Sequence, residues 1–410
     1  MKIYFFLLLI FFTTITNATE IFGLRIYAND DEYQSPIILQ ENFITIEFDV
    51  NTPHPPNLQI IFKHASKNWI ADNNVFLNDN FRDRTSTLSY DAAPSGVRQY
   101  TYHYKNSFPN ESVKFSYSGN YLFYIVDRNA QEKILAEGRF IVVENVVQTS
   151  MNVTNQYYPE TNSPYNQRNV ITVNVNVTTE SEKKEEPTLN YANVKTVDIY
   201  QNWKMYNPSR IDVDDQSSDT FVENFMLPKK KFIIRDIFPA NEYRRLDISS
   251  TKFYPNYQKV KLIDGADLSR FFLQGKIDAN GAAKLRPFTK ENSDYLNVEF
   301  RLELPDALHQ EIYLVGAFNQ WRVLPKYKMN YDTTSQLYTL HKWIKRGVYD
   351  YQYVVGSLEK QDWIALEGND WRTINRYTAI VYYYDERFGG FDRAVGMAQA
   401  KSPGGTSETR

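Results

Sequence analysis

A chain of 410 residues has room for several domains, each with a hydrophobic core of its own. Its 46 Lys and Arg nearly balance its 49 Asp and Glu, for a net charge of -3, and a surface without a basic excess excludes nucleic acid as a partner. The lack of any cysteine excludes a disulfide framework, a lipid-modified N-terminal Cys, thiol chemistry and Cys-ligated zinc.

Lys2, an apolar run from Ile3 to Phe12 and the small-residue stretch Thr16-Asn17-Ala18 read as a signal peptide, Met1 to Ala18, with cleavage between Ala18 and Thr19. The apolar run is too short to span a bilayer, and no later run approaches that length. The mature chain is therefore expected to be soluble or to meet a membrane only peripherally. Aromatic residues make up 15% of the chain, which is too apolar to be disordered throughout.

Residues 19–147 form a series of short apolar runs. In Phe43 to Phe48, Ile44, Ile46 and Phe48 share one face while Thr45 and Glu47 take the other. Strands are expected again at Leu58 to Phe62, Tyr100 to Tyr104, Asn120 to Val126 and Arg139 to Val143, with Pro, Asn and Gly between them. That spacing predicts a β-sandwich. Asn68-Trp69 sits between two of these strands, with Trp69 expected to be a core or interface anchor.

Residues 148–289 are expected to form a second sandwich. Ile171, Val173, Val175 and Val177 alternate with Thr172, Asn174, Asn176 and Thr178, which predicts one dry face and one wet one. Thr179 to Pro187 is a charged loop, expected to be solvated. Further strands are expected at Val194 to Tyr200, Phe232 to Asp236, Tyr243 to Ile248, Gln258 to Ile263 and Arg270 to Leu273. Asp212, Asp214 and Asp215 could gather a calcium ion, but an exposed acidic loop is the simpler reading. Asp278-Ala279-Asn280-Gly281 resembles part of a calcium loop. Lys276 and Pro287 stand where its first and last ligands belong, so a tight turn fits better.

Residues 290–393 are expected to form a third sandwich, and residues 394–410 a disordered tail. Ile312 and Leu314 share one strand face, Tyr338 and Leu340 another, and Tyr349 to Val355 follows the turn Arg346-Gly347. Between the first two runs lies Gly316-Ala317-Phe318-Asn319-Gln320-Trp321. This G-x-F-N-x-W pattern resembles the glycogen-binding modules of the early-set immunoglobulin-like class, whose Trp stacks on a sugar with help from a second Trp and a Lys. By that resemblance Trp321 would be the first platform and Trp363 the second. Val354 replaces the Lys, which removes the main polar contact, so Trp321 is expected to pack under its own loop and carbohydrate is not expected as a partner.

The chain then runs Glu367-Gly368-Asn369-Asp370-Trp371, Asn375-Arg376-Tyr377-Thr378, Ile380 to Tyr384 and Phe388-Gly389-Gly390-Phe391-Asp392-Arg393. In this order, after the strand Gln352 to Val355, these segments resemble the plug protein family of the bacterial type IX secretion system. Ser118 to Leu122, Arg139 to Glu144 and Phe238 to Arg244 resemble that family too. The resemblance implies an all-β chain of tandem immunoglobulin-like sandwiches in the periplasm. It implies a non-enzymatic plug that closes the periplasmic mouth of the outer-membrane translocon by protein contact. The alternative is an envelope glycan-binding protein that uses Trp321.

The chemical inventory is sparse. No G-x-S-x-G occurs, and His54, His64, His103, His309 and His341 have no metal-ligand spacing; each reads as a surface or turn residue. No catalytic residue, metal or cofactor is expected. A plug needs a contact surface, and exposed aromatics are the usual anchors of one. The candidate binding residues are Trp321, Trp363, Trp371, Tyr377, Phe388 and Phe391, with Tyr377 to Arg393 the candidate contact segment.

Overall fold

The computed structural model describes residues 19–79, 81–157, 167–177, 189–224, 228–270, 278–285 and 293–403. The expected signal peptide Met1 to Ala18, the charged loop 179–187, most of the strand expected at 270–273, Lys276, Pro287 and residues 404–410 lie outside them. Among the described residues nearly all regular structure is β, helix is confined to single 3-10 turns, and no helix is long and apolar enough to cross a membrane.

Three face-to-face sandwiches account for the sheets. In the first, strands Ile21–Ala28, Ile44–Val50, Tyr102–Phe108 and Tyr90–Ala92 form one sheet, and Ile37–Leu39, Ala130–Val143, Gly119–Asp127 and Leu58–Ala65 the other. Ile44, Ile46 and Phe48 point into the core between them, as their alternation requires. Phe62 anchors that core, its ring 4.8 Å from Phe108 and 5.4 Å from Phe115.

The opposite face of Ile44–Val50 is not wet. Thr45, Glu47 and Asp49 are all buried. The third sandwich covers that face: Tyr295 donates to Asp49 Oδ2 at 2.7 Å, and Lys345 Nζ lies 2.6 Å from the same oxygen. His103 completes the group, with Nδ1 2.6 Å from Asp49 Oδ1. Both His103 and His64 are buried, so the surface reading of these two histidines is corrected.

The strand pairing departs from the expected boundaries 148–289 and 290–393. One sheet of the second sandwich joins Thr220–Asn224, Lys229–Ile237, Arg168–Asn176 and Gln148–Gln156; the other joins Ser209–Asp212, Val194–Gln201, Arg376–Asp385 and Phe391–Lys401. The segment expected to close the third sandwich thus completes the second, and Phe391–Lys401 occupies much of what was expected as a disordered tail. Apolar side chains line both faces of Arg376–Asp385, and each face has a use. Tyr377, Ala379, Val381 and Tyr383 enter the second core. Ile380 and Tyr382 pack against Ile37, Ile141 and Val143 of the first sandwich. A run apolar on both faces marks a central strand, but it does not say which sheet the strand is central to.

The third sandwich is an insertion between Lys229–Ile237 and Arg376–Asp385. Gly347–Gly356 is its hub, pairing with Arg244–Asp247, Ala283–Leu285, Ile312–Gly316 and Gln361–Asp362. The facing sheet is built on Tyr295–Glu303 and Leu337–Lys345. Leu296, Val298, Phe300, Leu314 and Tyr353 fill the space between.

Candidate protein-docking surface

The G-x-F-N-x-W turn closes on itself. Asn319 Oδ1 accepts from the Gly316 N–H at 3.0 Å, and its Nδ2 donates to the carbonyls of Leu314 and Arg322. Gln320 and Trp321 both take the left-handed conformation, which folds the indole back beneath the turn. Trp321 is 2% exposed. Its Nε1 donates to the Gly281 carbonyl at 2.8 Å, and its ring lies 4.3 Å from that of Tyr243. The indole is therefore a core residue, with no face open to a sugar.

The other candidates separate by burial. Tyr377 is buried, its hydroxyl 2.8 Å from Asn169 Nδ2 in the second core. Phe391 is buried edge-on to His64, with ring centroids 5.7 Å apart. Trp363 and Trp371 are half-buried. Phe388 is exposed, and it is the candidate around which a surface forms.

Phe388 sits in the single 3-10 turn Arg387–Gly389 at positive φ, between two strands of the second sandwich. Asp385 fixes this turn by accepting from Arg387 Nη2 at 2.6 Å and Arg393 Nη1 at 2.9 Å. Burial alone would raise the Asp385 carboxyl, but the hydrogen bonds from Arg387 and Arg393 outweigh it and hold it below the ordinary carboxylate range. The Phe388 ring stacks on Phe76 of the first sandwich, and Asn74 Nδ2 donates to the Phe388 carbonyl.

Phe76 belongs to the loop after Leu58–Ala65. Short polar side chains shape that loop: Asn74 accepts from the Phe76 N–H, Asp79 from the Phe81 N–H, and Asn78 from the His64 N–H. Beneath it, His64 Nδ1 lies 2.5 Å from the Asp72 carboxylate and Nε2 3.0 Å from the Ser118 carbonyl. The loop presents Ile70, Val75, Phe76 and Phe81 to solvent, Phe81 at 92% exposure and Phe76 at 64%. Ile70, Val75, Phe76 and Phe81 escaped the sequence analysis because a loop has no period to read. The available signal was large apolar side chains among Asn and Asp, in a stretch with no strand alternation.

Ion pairs hold the two sandwiches behind this surface. Lys67 Nζ reaches Asp212 at 2.9 Å, Lys67 N donates to Asp392 Oδ2 at 2.9 Å, and Arg393 pairs with Glu144 at 2.7 Å. Asp212 thus serves a domain junction, Asp214 pairs with Lys195, and among the described residues no three His, Cys, Asp or Glu are placed to hold a metal. Trp69, expected as a core or interface anchor, packs half-buried against the cluster of Ile141, Tyr200 and Ile380 that joins the first two sandwiches, its ring 4.4 Å from the Arg139 guanidinium.

One further polar group sits inside the third sandwich. Asn280 and Gly281 both adopt positive φ, as a tight turn requires. Asp350 Oδ2 accepts the N–H groups of Ala279 at 2.8 Å and Gly281 at 2.9 Å. Burial, helped by nearby Asp278, pushes the Asp350 carboxyl up to about 7. Burial and Asp278 raise Glu242 as well.

Residues 21–144 match the family model described as "Type 9 secretion system plug protein 1st domain". Comparison with curated proteins gives no match. The chain is similar to the crystal structure of a hypothetical protein from Parabacteroides merdae ATCC 43184, at 22% identity and TM-score 0.76, over 93% of this chain and 97% of that one. At that identity the likeness is one of fold. A marsupial T cell receptor aligns over 84% of this chain and 98% of its own, at 8% identity and TM-score 0.17, a level from which nothing follows. The loop that carries Ile70, Phe76 and Phe81 lies inside the segment, residues 21–144, that matches the first domain of the type 9 secretion system plug protein family.

Proposed function

We propose that this protein is a non-enzymatic plug of the type IX secretion system, seated at the periplasmic mouth of the outer-membrane translocon. The observation that carries the reading is the apolar surface of Ile70, Val75, Phe76, Phe81 and Phe388, shared by a loop of the plug-family domain and the closing turn of the second sandwich. Exposed aromatics backed by sheets suit protein contact, and closing a pore is steric work that needs no reacting group. A seal of standard size would bury about 800 Å² on each partner. The buried indole of Trp321 argues against the glycan-binding alternative.

Deleting the gene should raise outer-membrane permeability to vancomycin in cells that still make the translocon, and deleting the translocon as well should abolish the increase. Equal leakage in both strains would overturn the reading. N-terminal sequencing of periplasmic protein tests the route: the expected first residue is Thr19, and an intact Met1 in membrane-anchored material would refute export by a cleaved signal peptide.

A further inference from the structure

We infer that the cleft between the second and third sandwiches binds a monocarboxylate with an apolar body, the carboxylate on Lys204 and the body on the walls around Trp363. This site is separate from the docking surface and does not depend on the plug reading.

The cleft has a volume of about 710 Å³, within the range of roughly 300–1,000 Å³ typical of small-ligand pockets. Ile199, Ile237, Phe238, Val355, Trp363 and Ile364 supply apolar wall from both sandwiches. Lys204, from the segment after Val194–Gln201, is 6% exposed. Its Nζ lies 4.7 Å from the Trp363 ring centroid and 5.6 Å from that of Tyr243. Its hydrogen bond to Gln201 Oε1 is long, at 3.4 Å, and no carboxylate among the described residues is ion-paired with it. Burial pushes Lys204 down to about 8 against the pull of Asp278 and Glu367.

A desolvated ammonium flanked only by ring faces and one amide oxygen gains most from an anionic partner. Gln201 is already oriented to assist, because its Nε2 is committed to the carbonyls of Phe238 and Pro239 and to the Tyr377 hydroxyl. The remaining charges on the walls choose the class of anion. Asp236, paired with Arg168, Asp362, which accepts the N–H groups of Ile364 and Ala365, and the exposed Lys360 leave Lys204 the single buried cation of the cleft. A phosphate dianion would meet only one buried cation there, whereas one carboxylate matches one ammonium. A fatty acid and the C-terminal residue of a peptide both carry this chemistry.

The test is calorimetric titration of the full chain with octanoate and with N-acetyl-Phe-Leu, each beside its carboxamide. At least one carboxylate should bind with a Kd below about 1 mM, its amide at least tenfold more weakly, and Lys204→Met should abolish the binding. Octanoate alone would identify a fatty-acid site, and the dipeptide alone a peptide C-terminus site. No heat from either acid, or equal binding of acid and amide, would overturn the inference. Should Lys204→Met fail to fold, the acid and amide pairs on the wild-type chain decide the matter.

Discussion

The ring of Phe76, from the first sandwich, lies 5.3 Å from that of Phe388, from the second, at an interplanar angle of 20°. Two residues more than three hundred positions apart thus make one exposed apolar surface, and neither is spent on its own core. Phe81→Ser, in the same loop as Phe76, should change stability by less than about 0.5 kcal/mol, since surface substitutions away from packed features cost little. It should weaken capture of the translocon from detergent extracts at least tenfold. Undiminished capture by Phe81→Ser combined with Phe76→Ser would remove the surface from the function. A double-mutant cycle on Phe76 and Phe388 should return a coupling of about 0.5–1.5 kcal/mol.

Trp321 stands at the opposite extreme. Trp321→Ala removes a buried ring and leaves the Gly281 carbonyl without its donor, so it should cost about 3–5 kcal/mol in denaturant unfolding. Titration of the wild-type chain with maltoheptaose should give no heat. Tight sugar binding together with a neutral Trp321→Ala would contradict the core assignment.

Asp350 makes stability depend on pH with a definite sign. Its folded-state carboxyl titrates near 7, above the unfolded value of about 4. Below pH 4 both states hold the proton and pH has no effect through this group. Between the two values the folded state keeps a proton that the unfolded chain releases, so stability falls as pH rises from about 4 to about 7. Asp350→Asn can still accept from Ala279 and Gly281 while losing the titration. Melts at pH 5 and pH 8 should differ less for Asp350→Asn than for the wild type, and an unchanged difference would refute the assignment.

Lys345 and Asp49 tie the third sandwich to the first. Burial would raise the Asp49 carboxyl, yet Lys345 and His103 together hold it below its ordinary value. Lys345→Met should cost about 3 kcal/mol, because a buried charge loses a partner. The double variant Asp49→Asn with Lys345→Met should cost less than the sum of the single changes. Strict additivity would show that the 2.6 Å contact carries no coupling.

Much of this architecture was legible residue by residue, but its assembly was not. The alternation of Ile44, Ile46 and Phe48 placed a core face correctly, and the short spacing of apolar runs was enough for sandwiches. The burial of the opposite face, with Glu47 and Asp49, was not legible, because its covering partners Tyr295 and Lys345 lie far along the chain. Phe388 was a candidate as part of the segment Tyr377 to Arg393, and its exposure is a fact of the structure. Tyr377 and Phe391 were misread as exposed, since an apolar strand looks the same from the sequence whichever sheet it joins.

The insertion of one sandwich within another has a consequence for the order of folding. The described strands of the third sandwich are complete in sequence by residue 362, where the second still lacks Arg376–Asp385 and Phe391–Lys401. Until residues 376–401 follow, strand Val194–Gln201 has an open edge and the second core lacks Tyr377, Val381 and Val395. The inserted sandwich is free to mature first, while its host waits with a template for mispairing. A chain truncated near residue 370 would carry two closed sandwiches and one sticky edge, the form that a chaperone has most reason to hold.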